Sequence, residues 1–253
     1  MKSRFCFLMA VVFTGSVSDI QAQSLDTVRR KDANGVDFVQ VKRGDVVVSE
    51  GYLANGVPEG TWIYYWDSGY PQLISNFRNG KKNGVQVQMT VQGNAELLEN
   101  YNDDQLEGPR RVYQPGSLFI MEEAYYSEGR KHGLYNKRYP TGKPQEEANF
   151  NMDQRDGKTT WFYETGEKAA EYNYRNGLIE GEVAAYFKNG RVSEYGVYKN
   201  NERAGDWKEF YENGNVKAEG TYINGKKEGN WKEYDESGKL VKTVKYKNGE
   251  ERK

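Results

Sequence analysis

The side chains in this sequence that could carry acid–base or metal chemistry show no catalytic or metal-binding spacing. His132 is the only histidine, and it stands directly before Gly133, where comparable positions along the chain carry acidic residues. A lone histidine without cysteine or histidine neighbours at ligand spacing does not make a zinc site, and no nucleophile elbow surrounds it. We therefore interpret His132 as a solvated turn residue.

Adjacent acidic residues are the next candidates, because two carboxylates can together hydrolyse a glycosidic bond. The pairs are Asp103-Asp104, Glu122-Glu123 and Glu146-Glu147. Consecutive side chains in a strand point to opposite faces, so these carboxylates do not converge. Residues 152–157 lack the spacing of a calcium loop, and no glycine opens a helix that could hold phosphate. The sequence predicts no enzyme, no metal site and no cofactor.

Glycine recurs with a period of 24 residues, and this period organises the chain. Six of the seven intervals between leading glycines are 24 residues and one is 25; these glycines are Gly60, Gly84, Gly108, Gly133, Gly157, Gly181, Gly205 and Gly229. A second glycine follows eight or nine residues later. An aromatic column follows 17 residues later, at Phe77, Tyr101, Tyr125, Phe150, Tyr174, Tyr198, Tyr222 and Tyr246. Three columns in phase over eight units indicate a repeat protein, whose function lies on a repeated surface.

One repeat, beginning at Gly205, illustrates the predicted structure. Residues 207–211 are rich in strand-favouring aromatic residues, and residues 212–215 contain the asparagine and glycine of a turn. Residues 216–222 alternate between apolar and polar side chains, and Asn-Gly follows, which is the strongest short-range hairpin signal. We predict an all-β fold, an elongated single-layer antiparallel meander of tandem β-hairpin repeats of about 24 residues.

The ends of the chain differ from the repeats. Residues 1–22 combine an early positive charge, a nine-residue apolar run and small residues at their end, which is typical of a secretory signal peptide. Residues 23–34 are polar and are predicted to form a tether. Residues 35–59 are predicted to form a degenerate N-terminal repeat or cap, and residues 60–253 the eight repeats with a charged C-terminal cap.

Bulk composition narrows the function classes. The chain has 36 basic and 37 acidic residues, so it lacks the basic excess that a general nucleic-acid binder needs. Its single cysteine, Cys6, lies inside the predicted signal peptide, so no disulfide is expected after cleavage. With 36% hydrophobic and 29% charged residues, a thin structure with much surface is favoured. We expect an exported protein, periplasmic or extracellular.

The repeat pattern resembles the MORN repeat (membrane occupation and recognition nexus), in the variant found in many bacterial proteins, including the YwqK-type antitoxin family. The similarity rests on a tryptophan two residues after the leading glycine and on Asn-Gly-Lys turns, in Gly60–Tyr65, Gly205–Tyr211, Asn79–Lys81 and Asn224–Lys226. It covers residues 60–253 well and residues 35–59 weakly. The resemblance implies a non-enzymatic module that binds proteins or membrane surfaces, and the antitoxin relatives imply neutralisation of a protein partner.

Aromatic side chains are the strongest candidates for a binding surface, because tyrosine and tryptophan commonly anchor protein interfaces. We expect the hairpin array to present them as ladders on a scaffold. The candidate binding residues are Trp62, Tyr65, Trp161, Tyr163, Tyr186, Trp207, Tyr211, Trp231 and Tyr234. For each ring the alternative is packing against a neighbouring hairpin.

Three kinds of partner remain open from the sequence. The leading hypothesis is a protein partner, whose identity the residues do not specify. The second is a membrane surface, bound through basic turns such as Lys81-Lys82, Arg130-Lys131 and Lys226-Lys227, although adjacent acidic residues dilute their charge. The third is a second copy of the chain, because the end strands of a meander have free edges that can pair.

Overall fold

The computed structural model describes residues 25–31 and 35–252, and these residues form 22 strands and no helix. The strands in chain order are β1 (Leu25–Lys31), β2 (Asp37–Arg43), β3 (Val46–Ala54), β4 (Val57–Tyr65), β5 (Pro71–Arg78), β6 (Lys81–Met89), β7 (Ala95–Asn102), β8 (Gln105–Leu106), β9 (Gly108–Tyr113), β10 (Ile120–Ser127), β11 (Arg130–Arg138), β12 (Pro144–Asn151), β13 (Gln154–Arg155), β14 (Gly157–Phe162), β15 (Lys168–Arg175), β16 (Leu178–Tyr186), β17 (Val192–Lys199), β18 (Glu202–Phe210), β19 (Val216–Ile223), β20 (Lys226–Tyr234), β21 (Leu240–Lys247) and β22 (Glu250–Arg252).

These strands form one open antiparallel sheet in which neighbours in the chain are neighbours in the sheet. β8 and β9 both pair with β7, and β13 and β14 both pair with β12, so each couple is one interrupted strand. The predicted all-β meander of hairpins is confirmed.

The N-terminal region partly differs from its predicted description. The signal peptide predicted at residues 1–22 lies outside the described residues. Within the segment predicted as a tether, residues 25–31 form β1, which pairs along its whole length with β2. Its side chains are exposed, so backbone pairing to the next strand, and not an apolar pattern, holds this segment on the sheet.

Two-residue turns close one side of each hairpin. In the two-residue Asn-Gly turns that close the hairpins both residues have positive φ, for example 52° at Asn79 and 80° at Gly80. That conformation defines the type I′ turn, whose twist matches paired strands and which asparagine and glycine adopt at low cost. The turns stack on one another, since the amide of Gly80 donates to the carbonyl of Pro58 at 2.9 Å, and the same bond recurs in the other repeats.

The leading glycines form β-bulges and do not lie in the turns. Gly60, for example, lies within β4 and has a φ of 66°, a left-handed conformation that favours glycine. The register of the neighbouring strand shifts opposite it, between Glu50 and Tyr52. His132 precedes one of these bulges within β11, so it is a strand residue and the turn interpretation was wrong. The 24-residue period is thus the period of a bulge in every second strand.

Buried neighbours such as Ala124 and Val244 flank a line of core side chains that stand two residues after each leading glycine. Three are tryptophans, and each indole lies directly on a glycine of the preceding strand: Trp62 on Gly51, Trp207 on Gly196 and Trp231 on Gly220. A Cβ at any of these glycines would overlap the ring. We call the side of the sheet that carries these indoles the tryptophan face.

Where the core position is not tryptophan, a large residue on one strand pairs with a small residue on the next. Tyr135 pairs with Ala124, and Val183 pairs with Tyr172, so the volumes of the two partners compensate each other. Thr159 occupies the equivalent position in the fifth repeat and is fully buried. At these positions a large and a small side chain fill the line together although the residue types change.

The longer third repeat moves one member of the aromatic column. Its loop spans residues 114–119, where the amide of Gln114 donates to the carbonyl of Phe119, one residue further than in the first repeat. The extra residue shifts the frame, so that Tyr126 and not Tyr125 packs beside Ala124 on the tryptophan face. The prediction of Tyr125 for this column was therefore wrong.

Adding a methyl group beneath an indole should destabilise the sheet. We expect Gly220→Ala to lower the free energy of unfolding by about 1–3 kcal/mol, because the new Cβ overlaps Trp231. The double variant Gly220→Ala/Trp231→Tyr recreates the Ala124–Tyr135 pair and should recover part of the loss. Urea unfolding followed by circular dichroism measures both, and a Gly220→Ala variant as stable as the unchanged protein would contradict this packing.

One turn carries a residue that its backbone disfavours. Glu128 has a φ of 52° before Gly129, in the turn position that asparagine occupies in other repeats. Glu128→Asn should therefore raise the free energy of unfolding by about 0.5–1 kcal/mol. The backbone amide of residue 128 donates to Glu107 at 2.9 Å, and the substitution keeps this bond. Thermal unfolding tests this prediction, and a lower midpoint for the variant would contradict it.

Candidate functional site

The three column tryptophans are core residues. Trp62, Trp207 and Trp231 are 8%, 0% and 1% exposed, respectively. The indole Nε1 of Trp62 donates to the carbonyl of Tyr52 at 2.8 Å, and that of Trp231 to the carbonyl of Thr221 at 3.2 Å. These three rings therefore pack against a neighbouring hairpin, which was the alternative to a binding role in the sequence analysis.

A continuous aromatic ladder crosses the C-terminal repeats on the tryptophan face. Tyr198, Trp207, Tyr222 and Trp231 meet edge to face, with ring centroids 5.6, 5.6 and 5.0 Å apart. Each such contact is worth about 0.5–1.5 kcal/mol beyond simple burial. The ladder therefore joins four successive strands through side chains as well as through the backbone.

Basic side chains lie over this ladder. The Nζ of Lys227 is 4.0 Å from the ring centroid of Trp231, and the guanidinium of Arg203 is 4.3 Å from that of Trp207. Arg203 also donates to the hydroxyl of Tyr222 and to Glu194. Cations over aromatic faces are attracted by the ring quadrupole, so these side chains cover the rings and help to keep them dry.

Trp161 lies outside the core column, two residues further along its strand. Its half-buried indole meets Tyr172 edge to face at 5.6 Å, and the guanidinium of Arg155 is 5.4 Å from its ring. Thr159 fills the column position in this repeat. Trp161 therefore packs beside the core column and not within it, and part of its ring remains accessible to solvent.

The five candidate tyrosines occupy equivalent places in their repeats, where the strands enter the longer loops. All five are half-buried, and we call them, with Trp66 and Tyr139, the tyrosine border. The hydroxyls of Tyr65, Tyr186 and Tyr234 donate to carboxylates of the preceding hairpin, at 2.7, 2.7 and 2.8 Å from Glu50, Glu171 and Glu219. Their rings are thereby held in one orientation.

The remaining members of the border bond forward to the next repeat. Tyr163 and Tyr211 donate to the carbonyls of Tyr186 and Tyr234, at 2.7 and 2.8 Å. Tyr139 makes the equivalent bond to the carbonyl of Phe162, and Trp66 to that of Met89. Sequence reasoning missed Trp66 and Tyr139, although each stands six residues after a leading glycine, as Tyr163 and Tyr211 do.

Sequence reasoning also missed a row of aliphatic side chains on the face opposite the tryptophans. Ile63, Ile74, Val87 and Leu98 are consecutive cross-strand partners and are half-buried. The same row carries charges in the C-terminal repeats, where Lys208 pairs with Glu219 and Glu219 with Lys232. The first two repeats are thus apolar on a face that is charged elsewhere.

The second and third repeats replace aromatic packing with polar bonds. Gln86 and Arg110 stand in the core column, and both contact the carboxylate of Glu99 at 3.1 Å. The Oγ of Ser75 donates to Gln86 at 3.1 Å, and the hydroxyl of Tyr101 donates to Glu99 at 2.8 Å. Because each of these buried groups has a partner, the network keeps the sheet continuous.

One basic side chain of each basic turn lies against the sheet, and the other is exposed. Lys82, Lys131 and Lys227 direct their amino groups onto the tryptophan face, 4.6, 4.8 and 4.0 Å from the ring centroids of Tyr101, Tyr135 and Trp231. In the described part of the chain, no helix is long and apolar enough to cross a membrane. No group of three acidic, histidine or cysteine residues within 25–31 and 35–252 is placed to hold a metal ion.

These features define a tandem β-hairpin repeat protein in which cations lie over aromatic rings of several repeats. Four of its segments, 131–152, 155–176, 203–224 and 227–248, match the family model of the MORN repeat variant. Together they span less than half of the chain, and each begins at a basic residue that lies over an aromatic ring. MORN repeats are in general non-catalytic modules for protein or membrane interaction. No curated protein matches the chain.

Glu171, which accepts a hydrogen bond from Tyr186 of the tyrosine border, makes the stability of the folded protein depend on pH. Desolvation raises the pKa of its carboxyl, but bonds from Lys158, Lys168 and Tyr186 outweigh this effect and lower the pKa to about 2. A depressed pKa stabilises the folded protein above the unfolded pKa, near 4.3, and this stabilisation is lost as the pH falls towards 2.

The stability difference between the unchanged protein and Glu171→Gln should therefore depend on pH. It should be largest above about pH 5 and disappear near pH 2, where the protonated carboxyl resembles the amide. Chemical unfolding at several pH values measures it. Glu164→Gln, at an exposed loop residue, is the control and should show no such trend. A pH-independent difference for Glu171→Gln would contradict the assigned bonds.

Proposed function

We propose that this protein is an exported, non-enzymatic scaffold that binds a protein partner through the tyrosine border. Export rests on the signal peptide predicted at residues 1–22. Protein or membrane interaction is what MORN repeats generally provide. Neutralisation of a toxin, which the sequence resemblance implies, would be one form of such binding.

The orientation of the border rings carries this proposal. The hydroxyl groups of Tyr163, Tyr186 and Tyr211 are bonded within the protein, so a partner meets fixed ring faces and not free hydroxyls. Rings that are already ordered lose little conformational entropy on binding, which favours their use as anchors. The aliphatic row that begins at Ile63 adds apolar surface beside Tyr65.

Protein binding is favoured over attachment to a membrane surface. Lipid attachment through the turns would need free cations facing the phosphates. The amino groups of Lys82, Lys131 and Lys227 lie over aromatic rings, and neighbouring acidic residues such as Glu59 and Glu228 bond to the backbone amides of the turns. Of the two cations in each turn, one is therefore engaged within the protein and the other, Lys81, Arg130 or Lys226, is exposed.

Affinity capture from an envelope extract tests the proposal. The chain lacking residues 1–22 should retain a specific protein, and Tyr163→Ala/Tyr211→Ala should retain at least about tenfold less of it, because hot-spot rings contribute 2 kcal/mol or more. Tyr195→Ala is the matched control, because Tyr195 is 40% exposed and lies outside the border.

The outcome is decided by comparing the two variants by quantitative mass spectrometry. Equal recovery of the same proteins with both would refute the border as the binding surface. Binding to anionic vesicles that weakens with salt, without a retained protein, would favour the membrane alternative.

A further inference from the structure

The eighth repeat shows how side chains of this sheet enclose an aromatic ring. In the eighth repeat the indole of Trp231 lies on Gly220, beside the ring of Tyr222 at 5.0 Å and under the Nζ of Lys227 at 4.0 Å. Tyr246 lies on the far side, 5.3 Å from the same Nζ. Two rings and one cation therefore surround the indole.

The second repeat has the same surroundings without the indole. Phe77, Lys82 and Tyr101 stand at the positions of Tyr222, Lys227 and Tyr246 in the repeat, and the Nζ of Lys82 is 4.6 Å from the ring of Tyr101. Gln86 stands where the indole would be, and its side chain is held down by bonds to Ser75 and Glu99. The rings and the cation remain, but the buried Gln86 stands between them in place of an indole.

A cleft of about 290 Å³ opens at this point on the tryptophan face. Tyr64, Leu73 and Phe77 form its apolar walls, and Gln72, Gln88 and Lys82 form its polar rim. This volume lies at the lower limit of ligand pockets, which favours one inserted side chain over an extended ligand. The rim amides can both donate to and accept from a peptide backbone.

We propose that this cleft binds an aromatic side chain of a protein partner, above all tryptophan, which completes the aromatic ladder at Gln86. The inference rests on the proposed function, because the occupant belongs to a protein. Charge complementarity supports this occupant: Lys82 can lie over the π face of the inserted ring as Lys227 lies over Trp231. Phe77 supplies the edge-to-face neighbour.

A short peptide that contains one tryptophan tests the cleft directly. The probe is acetyl-Gly-Gly-Trp-Gly-Gly-amide with 5-fluorotryptophan, titrated with the full chain and observed by fluorine NMR. We expect binding with a dissociation constant on the order of 1 mM, as is usual for a single anchor. The same peptide with leucine in place of tryptophan should compete at least about tenfold more weakly, because the cation and the ring edge act on the aromatic ring.

Filling the cleft from within should weaken probe binding. Ser75→Gly/Gln86→Trp recreates the Gly220–Trp231 pair, and it should weaken probe binding at least about tenfold while preserving the fold. Gln86→Trp alone should lower the thermal midpoint relative to the double variant, because Ser75 then occupies the space beneath the ring. Retention of full probe affinity by a folded double variant would overturn the proposal.

A second pair of variants keeps the proposal testable if the double variant does not fold. Lys82→Ala should weaken probe binding about two- to fivefold. Lys131→Ala is the matched control, because Lys131 has the same repeat position but lies over Tyr135, which fills its own site. Equal effects of the two variants would refute the cleft. The border experiment uses tyrosines elsewhere on the sheet, so a failure of the cleft leaves the proposed function standing.

Discussion

The close approach of an aromatic ring to the backbone of the preceding hairpin is the contact on which this structure depends. A single-layer sheet has no second layer to cover its side chains, so the core must form within the sheet itself. Trp207 achieves full burial because Gly196 has no side chain and Arg203 lies over the ring. The bulge at each leading glycine recurs with the same 24-residue period and interrupts every second strand once.

This arrangement divides the aromatic residues into two populations with different roles. Column tryptophans are buried and hold adjacent hairpins together, as in other linear repeat proteins where stability is a sum over neighbours. Border tyrosines bond through their hydroxyls to the hairpins before and after them, for example Tyr186 to Glu171 and Tyr163 to the carbonyl of Tyr186. Their rings are ordered but half-exposed, which suits recognition more than packing.

Variation between repeats changes the surface without breaking the sheet. The network of Ser75, Gln86, Glu99 and Arg110 keeps every buried group bonded where tryptophan is missing, and it leaves a cleft beside Phe77. The first two repeats also carry the aliphatic row on the opposite face. Both faces of the N-terminal repeats therefore offer apolar surface, whereas the C-terminal repeats offer a filled ladder and paired charges.

The sequence by itself determined the period, the hairpins and their order, because glycine and asparagine report local backbone conformation and alternation reports strands. Only the tertiary structure decided which rings are buried, since burial of Trp62 depends on Gly51 in another strand. It also placed the leading glycines in bulges, moved Tyr126 into the aromatic column and aligned the tyrosines at the same end of their strands. These outcomes depend on register between strands, which one inserted residue or one bulge shifts, and no local pattern encodes that register.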